Sequence, residues 1–319
     1  MMEDLPLDAN NPAVRDYLAL IRLQVLTPLS LLVNITAVLV CSLSISPGIQ
    51  DIEKMFPSSI SPKPLLIASY LLLVYVGQVG YCILLVTARK PETKKTITKG
   101  VGIALVLANW IMGFWAVAWV MQWFLVSTVL LGILLLILLY CNVVILIYHR
   151  PELKKRPLDV AFIHAPLRFF LVLPLQVMFP YSLFVELGYT WEPGKPNQYA
   201  NHQWAGFGVL LLVNLIGLTV IVVRKDIVWC VAAVWIDIAI WSAKPKPSPI
   251  FIAAITFTAV HPIALIFAAV WKKLRGTDEG QIRLPPDDNS RVDGPPPHRQ
   301  QQGHSTRPPR EVDTEALWG

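Results

Sequence analysis

The sequence is poor in charge: only 15% of its 319 residues are Asp, Glu, Lys or Arg, whereas soluble domains carry about 25%. The deficit is uneven, because long stretches hold no charge and the charged residues lie between them. A membrane-spanning helix needs roughly 20 predominantly apolar residues, and the chain meets that need repeatedly. The scarcity of charge argues against a soluble domain and predicts an all-α, polytopic transmembrane helical bundle.

Cysteine pairs and signature motifs are missing as well. Cys41, Cys82, Cys141 and Cys230 each lie in an apolar run, without a CxxC pair or a histidine at metal-ligand spacing. They are interpreted as buried apolar side chains and not as disulfide or zinc ligands. The chain also lacks the HExxH, GxSxG, P-loop and GxGxxG patterns. We therefore predict no enzymatic activity, no catalytic residue, no metal site and no cofactor.

The net charge of +6 is the one compositional feature that could suggest a nucleic-acid partner. The Lys and Arg residues, however, fall in short clusters at the ends of the apolar runs. Anionic lipid head groups and the positive-inside rule account for that placement. The predicted partner is therefore the lipid bilayer, and no nucleic acid is predicted.

Eight apolar runs are predicted as transmembrane helices. The block from Val101 to Tyr148 is free of charge and too long for one span, so we place a tight turn near Gln122. The fifth run is interrupted by Pro166, Pro174 and Pro180, which predicts kinks and could open a cavity. The predicted spans are 22–45, 64–88, two within 101–148, 160–186, 205–223, 227–243 and 249–271.

The segments that flank these spans differ in composition. Residues 1–20 are polar and lack the features of a signal peptide, so we predict a cytosolic N-terminal segment. Residues 21–274 form the predicted membrane domain. Residues 275–319 are rich in Pro and Gln with mixed charges, which predicts a disordered cytosolic tail that could recruit a protein partner.

Charges in the loops predict the orientation. With eight spans, the side that holds both termini carries sixteen Lys and Arg residues near the membrane, and the other side carries five. The positive-inside rule therefore places both termini in the cytosol. The aromatic-rich loop 187–204 falls on the non-cytosolic side. It is interpreted as an interfacial aromatic belt or, alternatively, as a lid over a cavity that opens there.

Three ionisable residues lie inside predicted spans: Arg168, Asp237 and His261. Counting the helical rise from the cytosolic ends puts them about 12, 15 and 16 Å deep. Charges at that depth are usually paired or line a cavity. We therefore predict an intramembrane polar cluster in which Asp237 is the counter-ion of Arg168 or His261. A structural ion pair and a proton relay both remain open as its role.

Aromatic and amidic side chains form a second group of candidates. The sequence has 11 tryptophans, and Trp115, Trp119 and Trp123 recur at helical spacing on one face. A stacked aromatic face suits a flat apolar ligand, although plain packing explains the same pattern. The candidate ligand-binding residues are Trp115, Trp119, Gln78, Tyr81 and Trp235. Other polar residues inside the spans are interpreted as packing contacts between helices: Asn109, Asn142, Gln176 and Asn214.

Several stretches, in chain order, resemble extended tryptophan-rich membrane proteins related to TspO/MBR, and also a fungal family of membrane proteins of unknown function with the same layout. The resemblance covers about 22–271. It implies a helical bundle that binds or senses hydrophobic small molecules such as porphyrins or sterols. The stretches are Val25-Leu-Thr-Pro28, Ile52 to Phe56-Pro57, Tyr75 to Tyr81, Phe114-Trp115-Ala-Val-Ala-Trp119, Ile147-Tyr148-His-Arg150, Phe162-Ile-His164-Ala-Pro166 and Arg224-Lys-Asp226-Ile with Ala233-Val-Trp235-Ile.

Three functional hypotheses follow for this multi-pass protein of an endomembrane or the plasma membrane. The first is a binder or sensor of a flat hydrophobic molecule, porphyrin- or sterol-like, which ligand-dependent tryptophan quenching would reveal. The second is a proton-coupled secondary transporter that uses the polar cluster, for which a pH-dependent flux is expected. The third is a membrane organiser that recruits partners through the Pro-rich tail, which would then act alone.

Overall fold

The computed structural model describes residues 12–148 and 157–275, and helices dominate both ranges. Within them, β structure is limited to one isolated bridge between Ser58 and Thr190. The α-helices are α1 (Pro12–Leu43), α2 (Ile49–Met55), α3 (Pro64–Thr87), α4 (Pro91–Lys95), α5 (Gly102–Val120), α6 (Phe124–Tyr148), α7 (Pro157–Asp159), α8 (Ala165–Leu173), α9 (Phe179–Glu186), α10 (Gln203–Arg224), α11 (Ile227–Trp241) and α12 (Ser248–Arg275). Three π-helical segments join some of them: Thr96–Val101, Val160–His164 and Pro174–Met178.

The predicted membrane bundle is confirmed. Seven helices in the described ranges are long and apolar enough to cross a membrane: Tyr17–Leu43, Pro64–Thr87, Glu92–Val120, Phe124–Ile147, Pro157–Glu186, Gln203–Arg224 and Ser248–Trp271. The eighth predicted span is α11, whose 15 residues make it only about 22 Å long. It is therefore shorter than a hydrocarbon core of about 30 Å.

Lipid-facing surfaces are apolar. Large side chains such as Val86, Leu136 and Ile266 are more than half exposed along their spans. In water, a surface so rich in exposed apolar side chains would be unfavourable, whereas lipid chains solvate it. The bundle is therefore an integral membrane structure that contacts the bilayer through these faces.

The turn between the third and fourth spans lies where it was predicted. Gln122 adopts a left-handed conformation with φ 58°, and the Trp123 N–H donates to the Ala118 carbonyl oxygen at 2.9 Å. The left-handed residue reverses the chain within three positions, between α5 and α6. The charge-free block therefore forms two antiparallel helices.

The fifth span stays continuous despite its prolines. Pro166 and Pro180 occupy the second positions of α8 and α9, and Pro174 opens the π segment that joins them. A proline removes an N–H from the helical ladder, and a local π turn lets neighbouring carbonyls find other partners. Gly77 and Gly80 of α3 face this span so closely that an added Cβ would collide with Pro166 and Phe162.

The two sides of the bundle differ in their loops. The side here called the loop side holds segments 44–63, 121–123, 187–202 and 242–247. Segment 44–63 contacts the loops 187–202 and 242–247, since the Trp191 N–H donates to Pro57 O at 3.0 Å and Lys246 Nζ donates to Ser61 O at 2.7 Å. The opposite side, here called the basic side, holds segments 88–101 and 224–227. The cytosolic location of the basic side remains a prediction, and residues 1–11, 149–156 and 276–319, with most of the Pro-rich tail, lie outside the described residues.

Candidate functional site

A cavity of about 360 Å³ lies near the loop side of the bundle. Helices α1, α3 and α5, the short helix α2 and the fifth span enclose it. Its lining is mainly apolar, with a few polar groups at the loop-side end. The lining residues include Val38, Leu39, Leu43, Glu53, Pro62, Pro64, Leu71, Leu72, Tyr75, Met112, Trp115, Trp119, Leu173, Val177 and Tyr181.

Trp115 and Trp119 form the aromatic wall of this cavity, as their spacing predicted. Their rings stack at a centroid distance of 6.2 Å with 29° between the planes. Only 8% and 1% of the two residues is exposed, and within the described part of the chain neither indole N–H has a hydrogen-bond acceptor. A buried donor without an acceptor costs about 1–3 kcal/mol. The aromatic wall of the cavity therefore contains two indole donors without an acceptor among the described residues.

The cavity opens sideways between α1 and α3. Three of its lining residues, Leu39, Leu43 and Leu72, are 50%, 79% and 63% exposed on the outer surface of these helices. That surface faces lipid in a membrane-spanning bundle. An apolar molecule dissolved in the bilayer therefore has a route into the cavity that avoids water.

Gln78 and Tyr81 were predicted to contact the ligand, but the structure places both away from this cavity. Gln78 ends a buried chain of hydrogen bonds that joins three helices. The Tyr75 hydroxyl donates to Asn34 Oδ1 at 3.2 Å, Asn34 Nδ2 to Asn109 Oδ1 at 2.9 Å, and Asn109 Nδ2 to Gln78 Oε1 at 2.8 Å. Tyr81 is 2% exposed beside Gln78 at a closely packed contact with the fifth span. The packing role that was considered for Asn109 fits all of these groups.

Trp235 is also separate from the cavity. Its indole N–H donates to the Leu66 carbonyl oxygen at 3.1 Å, and its ring lies edge-on to Tyr70. It lines a shallow apolar groove beside Pro262 on the outside of α11. The sequence places Trp235 in a span but does not reveal which neighbours that face meets.

The predicted cluster of three ionisable residues is wrong in one member. Arg168 pairs with Asp226, whose two carboxylate oxygens lie 2.9 Å from Nε and 2.9 Å from Nη1. Asp226 is buried at the start of α11, where it also caps Trp229 N at 3.1 Å. The depth count considered only residues inside the spans, whereas Asp226 lies in the two-residue connection between α10 and α11. Asp237 lies about 16 Å further along α11, beyond the reach of Arg168.

The other two members do meet. His261 Nδ1 lies 3.7 Å from Asp237 Oδ2, and Asn214 Nδ2 donates to Asp237 Oδ1 at 3.1 Å. Gln176, on the π segment, approaches Asn214 Oδ1 at 3.5 Å. All four side chains are at most 3% exposed. The predicted pairing of Asp237 with His261 is therefore present. Arg168, which the proton-relay hypothesis also required, is not part of this cluster.

A comparison with protein families bears directly on this bundle. The family model for TSPO-like protein matches residues 24–270, which include every residue named above as lining the cavity. The chain belongs to the TSPO-like protein family. Comparisons with curated proteins and with solved structures gave no match. For this TSPO-like protein the family membership agrees with the resemblance seen in the sequence motifs.

Two polar groups of the TSPO-like cavity escaped the sequence reasoning. Glu53 lies on α2, a helix of seven residues that is too short for a clear periodic signal. Burial raises the pKa of Glu53 to about 7, against the lowering effect of Lys54. Tyr181 closes the same end of the cavity, and its hydroxyl donates to Phe56 O at 2.9 Å. The nearby Phe56-Pro57 motif was the only available sign of this region.

Proposed function

We propose that this TSPO-like protein is a non-enzymatic binder of a flat hydrophobic small molecule, porphyrin- or sterol-like, in the cavity beside Trp115 and Trp119. One observation carries the proposal: two buried, stacked tryptophans line the cavity with indole N–H groups that have no acceptor among the described residues. A ligand oxygen or nitrogen next to either ring would remove that energetic cost.

Size and lining support a small-molecule site. At about 360 Å³ the cavity lies at the lower end of the range of about 300–1,000 Å³ that is usual for ligand pockets. Its walls are Leu, Val, Met and aromatic side chains, which contribute apolar contact area. Aromatic walls favour planar ligands because rings stack face to face with an offset.

The position of the cavity opening supports the same class of ligand. Because the opening lies between α1 and α3 on the lipid-facing surface, the ligand reaches the cavity from the bilayer. Porphyrins and sterols both partition into membranes because they are largely apolar. A polar metabolite would have to cross this apolar mouth without compensation for its lost hydration.

The experiment is a binding titration of purified protein in detergent with protoporphyrin and with cholesterol. Tryptophan quenching reports the porphyrin, and equilibrium binding of radiolabelled sterol reports the second ligand. We expect saturable binding of at least one of them. Trp115→Phe and Trp119→Phe keep the packing but remove the donor, so each should weaken binding about three- to tenfold.

Trp229→Phe is the matched control. Trp229 is also buried with an indole N–H that has no acceptor among the described residues, but it does not line the cavity. Its substitution removes the same chemical group and should leave the affinity unchanged. Equal losses in all three variants, or no saturable binding in the unmodified protein, would contradict the proposal.

A further inference from the structure

A second space, here called the vestibule, adjoins the cavity on the loop side. It has a volume of about 410 Å³ and lies between segments 57–64 and 242–246. The 187–202 loop walls it through Trp191 and is attached to segment 57–64 by the Trp191 N to Pro57 O bond of 3.0 Å. The lid alternative considered for this loop fits its position better than an aromatic belt does.

The vestibule and the cavity share part of their lining. Glu53, Tyr181, Pro62 and Pro64 face both spaces. A molecule that fills the apolar cavity therefore has its loop-side end at the edge of the vestibule. The two spaces suit the two ends of one amphipathic molecule.

Charge distinguishes the vestibule from the cavity. Four lysines line it, Lys54, Lys63, Lys244 and Lys246, against the single carboxylate of Glu53. Lys54 is paired with Asp51 at 3.1 Å. The other three make no ion pair with a carboxylate of residues 12–148 or 157–275. Among the residues that the structure describes, the lining of the vestibule therefore carries an excess of positive charge.

Lys246 is the most constrained of these cations. Its Nζ donates to Ser61 O at 2.7 Å and to Ser59 O at 3.1 Å, which leaves one of its three N–H donors for another group. Burial lowers the pKa of Lys246 to about 7. A buried ammonium group needs an anionic partner to stay charged at low cost. An anion in the vestibule would supply that partner.

We propose that the ligand of this protein carries an anionic head group, which binds among Lys63, Lys244 and Lys246 while its apolar body fills the cavity. This inference rests on the proposed function and narrows its ligand class. The head group is a carboxylate, sulfate or phosphate, since each accepts charge-assisted hydrogen bonds from lysine.

Proton uptake is a specific consequence. A bound anion favours the charged form of Lys246 and the neutral form of Glu53, and both groups have pKa values of about 7. Binding at pH 7.5 should therefore take up protons from the buffer. Lys54, Lys63, Lys244 and Tyr181 are the other titratable groups that line the vestibule.

The test uses two matched pairs of probes, each with one apolar body. Cholesterol sulfate is compared with cholesterol, and protoporphyrin with its dimethyl ester. We expect the anionic member of at least one pair to bind about tenfold more tightly. Titration calorimetry in two buffers with different ionisation enthalpies should show proton uptake for the anionic member only.

Three lysine variants test whether the anionic head group binds in the vestibule. Lys63→Met and Lys244→Met alter exposed side chains, so folding should persist, and together they should abolish most of the anionic preference. Lys246→Met tests the half-buried cation that bonds to Ser59 O and Ser61 O. Lys195→Met is the control, because Lys195 is on the loop side, outside the vestibule, and is paired with Glu192 at 2.7 Å.

The outcomes separate the two proposals. Equal binding of charged and neutral members would overturn the anionic head group and leave the apolar site intact. An anionic preference that survives in the combined Lys63, Lys244 and Lys246 variant would overturn the vestibule as its location. Binding of no probe at all would overturn the proposed function together with this inference.

Discussion

At the residue scale, the site depends on groups whose environment departs from their usual one. Trp115 and Trp119 are buried, and their indole N–H groups have no acceptor within residues 12–148 and 157–275, although a tryptophan N–H normally finds a partner when buried. Glu53 is a carboxylate placed against an apolar cavity. Such departures cost stability, and they concentrate at binding sites because a ligand supplies the missing interaction.

Glu53 yields a pH-dependent prediction. Its pKa is raised from 4.5 to about 7, so the folded protein holds this proton more tightly than the unfolded chain does. Stability therefore falls as pH rises from about 4.5 to about 7. Glu53→Gln should remove that fall and raise the free energy of unfolding above pH 7 by on the order of 1–2 kcal/mol, which allows for partial exposure.

Thermal unfolding in detergent across this pH range checks the prediction. Asp51→Asn is the control with the opposite sign, because Lys54 lowers the pKa of Asp51 and the carboxylate form is favoured. That variant should lose stability above the usual pKa of aspartate. If the stability of Glu53→Gln and of the unmodified protein changed in parallel with pH, the pKa of Glu53 would not be raised by folding and the prediction would be wrong.

At the element scale, short and interrupted helices position the polar groups. Asp226, the residue that caps the start of the short α11, pairs with Arg168 in the fifth span. The π segment Pro174–Met178 turns Gln176 towards Asn214. Two separate polar contacts result, one at each end of α11. Together they join α11 to the fifth span and to α10 and α12.

Two matched aspartate variants compare the contributions of these two contacts to the stability of the protein. Asp226→Asn leaves the Arg168 guanidinium buried without its counter-ion, which should cost about 3–5 kcal/mol. Asp237→Asn keeps the hydrogen-bonding shape beside His261 and Asn214 and should change stability by less than about 1 kcal/mol. The measurement is the unfolding temperature of each variant in the same detergent. A larger loss for Asp237→Asn would restore Asp237 as the partner of Arg168.

At the scale of the whole molecule, the two sides of the bundle carry different groups. The loop side holds the cavity end and the vestibule, and the basic side holds the Lys and Arg residues of segments 88–101 and 224–227. The positive-inside rule predicts that the basic side is cytosolic. A ligand would then enter from the membrane leaflet of the non-cytosolic side.

Labelling in sealed vesicles of known orientation tests this topology. Cysteines introduced at the exposed positions Lys90, on the basic side, and Asn197, on the loop side, are probed with a membrane-impermeant maleimide. We expect Lys90→Cys to react only when the cytosolic face is accessible and Asn197→Cys only when the opposite face is. Reaction of both cysteines from one face would contradict the span count, and exchange of the two faces would contradict the orientation.

The helical membrane bundle, the turn at Gln122 and the aromatic face of Trp115 and Trp119 followed from the sequence alone. Each depends on local properties, namely apolar length, loop chemistry and helical spacing, which neighbouring residues determine. The Asp237–His261 pair was one of the two pairings that the sequence predicted, since a charge inside a span requires a nearby partner.

Only the tertiary structure decided which faces meet. Arg168 pairs with Asp226 because the fold brings the connection between α10 and α11 against the fifth span, and no property of either residue in the sequence reveals that contact. Gln78 and Trp235 lie outside the cavity because the rotation of a helix about its own axis depends on its packing against several neighbours, which the sequence does not give. Glu53 and Lys246 lie in two separate loop-side segments and Tyr181 lies in α9, 128 residues from Glu53 along the chain. Their convergence depends on the whole bundle.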